Sequence, residues 1–253
     1  MDGKRDRTRI LKYTQIIILG VCIVIATIVS SVILSKGFLR IAQFTKEVIS
    51  VTGSAQTEIK SDLIVWYSSF SVRDNELTSA YKRLKEDLAK VKSYLISKGV
   101  SEKEIVVSQI STETIYKKNE EGSNTNEIEA YRPGQSVGVH SYRVDEVTRI
   151  SRESTELIEQ GVQFQSESPE YFYTKLEELK IEMLARATEN AKLRAANMAK
   201  ATGNTIGFMR SAKMGVFQIT PINSTEVSDW GENDTSSLYK KVTAVVTVSF
   251  AIE

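Results

Sequence analysis

Apolar and polar residues alternate along several stretches of the chain, and this alternation is its first structural signal. From Ile49 to Ile59 the odd positions are apolar or small, and the even positions are polar. A period of two places successive side chains on opposite faces of a strand, so we expect one face here to be buried. Ser61-Asp62 interrupts the pattern and Leu63 to Val72 resumes it, which predicts a hairpin of two strands. Val242 to Ile252 repeats the alternation and predicts a final strand.

Other stretches follow the 3.6-residue period of an amphipathic helix. The clearest begins at Leu77, and its apolar positions recur every three or four residues. A second helix is predicted from Asp145 to Gln160, and a long third one opens at Pro169 or Glu170. Each helix is followed by a glycine, the residue that most easily takes the left-handed conformation that ends a helix. These glycines are Gly99, Gly161 and Gly203.

The remaining apolar segments predict further strands. They run from Ile105 to Tyr116, Ile128 to Val144, Gly161 to about Ser168, and Ile206 to Ile219. Residues 117–127 and 220–237 are polar and aperiodic, so both are expected to be long surface loops. The predicted order is ββαββαβαββ, an α+β domain with a mixed sheet and a long Ala-rich helix. Whether the repeated helix–glycine–strand order reflects an internal duplication stays open.

One continuous apolar run near the N-terminus is long enough to span a membrane. No charged side chain lies between Lys12 and Lys36, and about 20 apolar residues cover the roughly 30 Å hydrocarbon core of a bilayer. Most of the flanking positive charge precedes the run, which keeps the N-terminus cytoplasmic by the positive-inside rule. The expected parts are a basic cytoplasmic head at 1–12, a transmembrane signal-anchor helix at 13–36, a juxtamembrane linker at 37–47 and an outer domain at 48–253.

Two other interpretations of the N-terminus are weaker. A cleaved signal peptide also has a basic head, but its apolar core spans about 7–15 residues and ends at an A-x-A-like site. The run here is longer and lacks such a site. A lipoprotein cysteine at Cys22 is disfavoured because Val21 precedes it and the apolar run continues beyond it.

Composition narrows the classes of partner. The chain has 33 basic and 32 acidic residues and a net charge of +1, so nothing in its overall charge favours a nucleic-acid partner. Its only cysteine, Cys22, lies in the apolar run, which leaves the outer domain without a disulfide. A domain of roughly 210 residues buries enough surface to fold without a metal or disulfide.

The sequence shows no recognisable catalytic or cofactor motif. The sole histidine, His140, lies in a predicted strand with no second histidine or cysteine to form a metal or nucleophilic site. Glu177, Glu178 and Glu182 alternate with lysines as on a solvated helix face. We therefore predict no catalytic, cofactor-binding or metal-binding residues, and no enzyme activity.

Four residues are candidate contacts with another subunit or partner. Trp230 lies at the tip of a polar loop, where an aromatic side chain either contacts another subunit or docks onto its own domain. The other three, Ala187, Ala191 and Ala195, share one face of the third helix and permit close approach of a neighbouring element.

Five groups of segments follow one another along the chain in a characteristic order. They are Val51 to Ala55 with Lys60-Ser61-Asp62, Gly99 to Ser101 with Ile105, Glu129 to Arg132, Ala185 to Thr205, and Val242 to Phe250. In this order they resemble the SIMPL-domain family, which is common in bacterial envelopes, and the similarity covers about residues 48–252. Ser61 replaces a proline that is usual in the family. The resemblance implies a periplasmic or surface protein linked to envelope or oxidative stress, with ring-like or channel-like oligomers among its members and no catalytic residues.

Two functions follow as expectations. The first is a non-enzymatic assembly protein, a homo-oligomer held in the cytoplasmic membrane by lipid contacts of one helix, with its domain in the periplasm or at the cell surface. The second is a sensor domain that binds a small molecule or peptide and signals through a membrane partner. The second function predicts a concave pocket with converging polar groups.

Overall fold

The computed structural model describes residues 20–37 and 48–253. The predicted basic head and nearly all of the predicted linker lie outside the described residues. The first described element is helix α1, Gly20–Gly37, with a mean hydropathy of 2.0 and no buried residue. By length and composition α1 fits a signal anchor or a single-pass membrane helix.

Beyond α1 the chain alternates strands with helices, which confirms the α+β class. A short 3-10 turn, Glu102–Glu104, precedes β3. The elements are β1 Val48–Lys60, β2 Leu63–Ser71, α2 Leu77–Ser97, β3 Ile105–Val107, β4 Ser111–Lys118, β5 Asn124–Ser141, α3 Val144–Glu153, α4 Glu156–Glu159, β6 Phe164–Ser166, β7 Glu170–Phe172, α5 Leu176–Ala201, β8 Ile206–Met214, β9 Gln218–Pro221, β10 Glu232–Asn233 and β11 Tyr239–Ile252.

The strands form two sheets. The five-stranded sheet has the order β1-β11-β9-β10, with β8 also pairing with β11. It is mixed, since β10 is parallel to β9 while β11 is antiparallel to it. The six-stranded sheet has the order β3-β5-β2-β6, with β4 paired to β5 and β7 paired to β2.

The predicted hairpin of the first two strands is wrong, because β1 and β2 belong to different sheets. The switch occurs at Ser61-Asp62, where the backbone N–H of Ser61 donates to Leu238 and that of Asp62 donates to Phe172. The Asp62 carboxylate also accepts hydrogen bonds from the N–H and hydroxyl of Thr174. Ser61-Asp62, which the sequence pattern indicated as a hairpin turn, is instead the place where the chain passes from one sheet to the other.

Two other local predictions are corrected. Residues 117–127 are mostly strand, because β4 and β5 pair and leave a short turn around Asn119, whose side chain accepts two backbone hydrogen bonds. Solvent reaches both faces here, so no apolar alternation marks the strands. Helix α5 begins at Leu176 rather than at Pro169 or Glu170, because Glu170–Phe172 pairs with β2 as strand β7.

The chain divides into two compact units. Among the described residues, unit 1 comprises residues 20–37, 48–51, 193–212 and 248–253, and unit 2 comprises residues 52–192 and 213–247. The core of unit 2 lies between helices α2 and α3 and one face of the six-stranded sheet. Trp66, Leu84 and Val139 are among its fully buried side chains. The predicted stripe of α2 is largely confirmed, since Leu84, Val91 and Leu95 are buried although Leu77 is exposed.

The three predicted helix-ending glycines are confirmed. Gly99, Gly161 and Gly203 have φ values of 97°, 80° and 80°. After each helix the glycine N–H and the next N–H bond back to carbonyls of the last turn, as Gly99 does to Ile96 and Val100 to Leu95. This is the Schellman arrangement, in which positive φ closes the helix and satisfies its free carbonyls.

In unit 2, β1 and α5 approach each other without intervening side chains. Ala187 and Ala191 are fully buried, and a Cβ placed on Gly53 would collide with the Ala187 carbonyl oxygen and lie 2.7 Å from the Ala191 Cα. Glycine on the strand and alanine on the helix therefore allow backbone to meet backbone. The density of this packing leaves no room for an added methyl group.

We expect Gly53→Ala to destabilise unit 2 by about 1–3 kcal/mol or more, because the obstructing atoms belong to backbone and cannot rotate away. Thermal unfolding of the full chain in detergent, followed by circular dichroism, measures the effect. Gly134→Ala is the matched control, since its Cβ would meet other atoms at 3.5 Å or more. Equal unfolding temperatures for the two variants would contradict the close approach.

A partly buried carboxylate network also supports unit 2. Glu104 accepts hydrogen bonds from the Ser141 hydroxyl at 2.6 Å, the Arg143 guanidinium at 2.7 Å and the Ser101 N–H at 2.8 Å. Burial opposes the charge, but these three hydrogen bonds together lower the pKa of Glu104 below its ordinary value near 4.5. The ionised form is thus favoured in the folded state.

A lowered folded-state pKa adds stability above about pH 4.5, and this stability is lost as the pH falls through the folded pKa. We expect Glu104→Gln to cost about 1–3 kcal/mol at pH 7 and to flatten the loss of stability in acid. Unfolding by denaturant between pH 3 and pH 7 measures both effects. Glu102→Gln, on the same turn but exposed, is the control and should retain the wild-type pH profile.

Candidate functional site

The four predicted contact residues lie in very different surroundings. Ala187, Ala191 and Ala195 are fully buried inside the chain. Their side chains are therefore inaccessible to a second subunit in this conformation. Trp230, in contrast, is 93% exposed. It does not dock onto its own domain, which was the alternative expected from the sequence.

A buried carboxamide holds the loop between β9 and β10, which carries Trp230. Gln218, on β9, is 7% exposed, and its Nε2 donates to the Ser228 carbonyl at 2.6 Å. Its Oε1 accepts from the N–H of Ser228 at 3.3 Å and from the N–H of Glu232 at 2.9 Å. Gly231 follows Trp230 with a φ of 88° and closes the turn. One side chain thus fixes both ends of the segment that presents Trp230.

The segment between β10 and β11 is fixed by a buried lysine. Lys240 is 3% exposed, and its Nζ donates to the carbonyls of Tyr171 and Asp234, both at 2.5 Å. Burial lowers the pKa of Lys240, and the nearby Asp234 charge partly offsets this effect. The Asp234 carboxylate in turn accepts from the N–H and hydroxyl of Ser236. Residues 220–237, which the sequence predicted to be a long surface loop, are therefore held by hydrogen bonds within the chain.

Exposed apolar side chains lie on this loop, at the end of β8 and in the β8–β9 connection. Val227 is 81% exposed, and Met214 and Val216 are also open to solvent. A Cβ on Gly231 would lie 3.6 Å from that of Val216, which places the Trp230 turn beside the β8–β9 connection. We call Met214, Val216, Val227 and Trp230 the Trp230 surface. Clustered exposed apolar residues of this kind mark interaction sites more often than scattered ones do.

Unit 1 has a separate exposed feature on β8. The start of β1 flanks the end of β11, and the Ser249 hydroxyl there lies 3.2 Å from the Ser50 hydroxyl. Strand β8 flanks the end of β11 as well, and Thr205, just before β8, exchanges backbone hydrogen bonds with Glu253. Within the described residues β8 pairs with β11 alone, so its other edge is open. Phe208 on this strand is 84% exposed. Sequence reasoning missed Phe208, because it predicted a strand from Ile206 to Ile219 without assigning the faces of that strand.

His140 and two of the three glutamates considered for catalysis make contacts within the chain. His140 Nε2 lies 3.2 Å from the Tyr67 hydroxyl, and the two rings meet edge to face. Glu177 pairs with Lys180 and Glu182 with Arg186 on the exposed face of α5, as the helical spacing predicts. Within residues 20–37 and 48–253 no group of three His, Cys, Asp or Glu side chains is placed to hold a metal ion.

An apolar N-terminal helix followed by a two-sheet α+β domain defines the class of protein. The family model SIMPL, described as a protein of unknown function (DUF541), matches residues 49–250. The chain therefore belongs to the SIMPL family, as its sequence motifs implied. Comparison with curated proteins gives no match.

We expect Gln218→Ala to loosen the Trp230 loop while leaving β11 in place. Each lost hydrogen bond contributes about 0.5–1.5 kcal/mol, so amide hydrogens of residues 224–232 should exchange at least about tenfold faster. Hydrogen–deuterium exchange measured by mass spectrometry reports this, with peptides of β11 as the internal reference. Gln56→Ala, an exposed glutamine on β1, is the control. Unchanged exchange in the loop would show that Gln218 does not hold it.

Proposed function

We propose that this SIMPL-family protein is a non-enzymatic, self-assembling membrane protein whose domain lies on the outer face of the cytoplasmic membrane. The observation that carries the proposal is the Trp230 surface. Trp230 is 93% exposed, and buried Gln218 fixes the loop that carries it, so the loop loses little backbone conformational entropy on binding. Exposed aromatic residues on rigid supports are typical centres of protein interfaces.

The strand edges of unit 1 supply a geometry for assembly. The starting segment of β1 and strand β8 flank the end of β11 on opposite sides. Each carries an edge that is unpaired within the described residues. Pairing the β8 edge of one copy with the β1 edge of the next is a heterologous contact, which closes into a ring when the rotation between copies allows it.

The membrane anchor favours closure. Basic residues concentrated before the apolar run support an inside N-terminus, so every copy has the same orientation. Confinement to one plane reduces the translational and rotational cost of association and favours rings over open filaments. Lipid contact through α1 and contact between domains are thus complementary parts of one assembly. A role in envelope stress fits such a location.

The test is the mass of the full chain in mild detergent, measured by light scattering over a range of protein concentrations. We expect a defined multiple of 28.3 kDa. Trp230→Ser combined with Val227→Ser should weaken association by at least about tenfold, since central interface residues each contribute more than about 1 kcal/mol. Tyr142→Ser removes an exposed aromatic outside the Trp230 surface and is the matched control. A strictly monomeric wild-type protein at membrane-like concentrations would refute self-assembly.

The alternative is a sensor that binds a ligand in its outer domain and signals through α1. One observation favours it. A cleft of about 300 Å³ lies on the six-stranded sheet, and polar side chains converge on it.

A further inference from the structure

One face of the six-stranded sheet packs against helices. Among the residues that line the cleft, Ser69 and Ser71 lie on the opposite, outer face, whereas Phe70 and Gln135 occupy positions of the helix-packed face. Three rows of side chains cross this outer face in register. In the first row Ser136 pairs with Ser69, which pairs with Gln165. In the second row Gly134 lies between Ser71 and Ser111. All of these residues line the cleft.

The lining is unusual for an open sheet face because it carries no charge. Charged residues make up 26% of the chain, yet all eleven residues that line the cleft are uncharged. Five are serines, and four of the chain's nine glutamines are among them. Serine and glutamine are poorer strand formers than the β-branched and aromatic residues that usually cover such a face. Strand propensity therefore does not explain the composition.

The hydrogen-bonding capacity of the cleft is largely unused. Gln135 is occupied, since its Nε2 donates to the Ser108 carbonyl at 2.8 Å. In the described part of the chain, the side chains of Ser69, Ser71, Gln163 and Gln165 make no hydrogen bond to protein. A serine hydroxyl and a glutamine carboxamide each both donate and accept. This combination suits a ligand whose own groups also donate and accept.

An aromatic side chain lies in the row next to the cleft, just beyond the residues that line it. Tyr67, in the third row, is 40% exposed, and its ring lies across Gly138 on the neighbouring strand, where a Cβ would come within 2.7 Å of Cε1. His140 Nε2 lies 3.2 Å from the Tyr67 hydroxyl. Rows on one face of a sheet are about 7 Å apart, so Tyr67 is the next residue after Ser69 on this face of β2. It offers a flat apolar surface beside the hydroxyl and carboxamide groups.

These features distinguish between classes of ligand. The absence of Lys and Arg from the lining disfavours phosphates and nucleic acids. An extended peptide that binds by strand addition needs a free strand edge, whereas the backbone groups of β2 and β5 are already paired with each other. A purely apolar ligand would leave the serine and glutamine groups without partners. A ligand with many neutral hydroxyl groups and apolar C–H faces fits both the polar rows and the ring.

We propose that this cleft binds a neutral oligosaccharide, with sugar hydroxyls on the serine and glutamine rows and one sugar ring stacked on Tyr67. Four strands spaced about 4.8 Å apart and three rows spaced about 7 Å apart give a platform of roughly 14 Å in each direction. That size accommodates a short oligosaccharide rather than a single sugar. A neutral oligosaccharide would be the ligand of the sensor alternative, and its binding does not require self-assembly.

Calorimetric titration of the full-length protein tests the proposal. The detergent must have a polyoxyethylene headgroup, because a sugar headgroup would compete. The probes are tetrasaccharides of β-1,4-linked N-acetylglucosamine and of β-1,4-linked glucose, with a sulfated heparin tetrasaccharide as the charged comparison. We expect saturable binding of at least one neutral probe at about millimolar concentration, and at least about tenfold weaker binding of the sulfated one.

The variant Gln163→Ala/Gln165→Ala should weaken binding of the neutral probe by about tenfold. Both side chains are exposed, so the fold is expected to persist. Gln56→Ala/Gln160→Ala changes two exposed glutamines outside the cleft and should bind as the wild type does. No saturable binding up to about 10 mM, equal binding of the sulfated probe, or equal binding by the two double variants would overturn the proposal. The cleft variant should keep the wild-type mass in detergent, which separates this outcome from a failure of self-assembly.

Discussion

The organisation of unit 2 depends on the close contact between strand β1 and helix α5. Gly53 and the alanines Ala187 and Ala191 remove side chains from both surfaces, so the two backbones touch. Such a contact gains dispersion energy over many atoms and tolerates no added volume. It also fills the face of α5 that the sequence offered as a surface for another subunit. The side chains left for partners are therefore those of loops, edges and open sheet faces.

The Trp230 loop shows how a polar segment becomes a rigid support. Its order comes from a few buried polar groups rather than from apolar packing, chiefly the carboxamide of Gln218 and the ammonium group of Lys240. Burying such groups is costly unless they are hydrogen-bonded, and here their donors reach backbone carbonyls. The consequence is an exposed tryptophan whose backbone is held in place.

The six-stranded sheet divides its two faces between stability and recognition. One face buries Trp66, Phe70 and Val139 against the helices. The other carries Ser69 and Ser71 in the alternate positions of the same strand, and they contribute little to the core. Because successive side chains of a strand point to opposite faces, one stretch of sequence serves both roles. A neutral hydrogen-bonding surface can therefore vary without disturbing the core behind it.

The amino-acid sequence by itself determined the features that depend on neighbouring residues. These are the apolar run of α1, the buried stripe of α2, the final strand and the glycine endings at Gly99, Gly161 and Gly203, because periodicity and positive φ are local properties. The family also followed from the order of local motifs. The sequence likewise indicated that α5 would approach a neighbour closely, but not which element that neighbour was.

Only the tertiary structure decided which distant segments meet. It separated β1 from β2 at Ser61-Asp62, made a paired hairpin of residues 117–127 and exposed Trp230. Three-residue strands such as β6 and β7 are too short to show a period and exist because β2 offers them an edge. The cleft combines side chains from several strands and the turns beside them, each ordinary in its own segment. Strand pairing depends on long-range contacts, and the sequence pattern encodes the faces of a strand but not its partner.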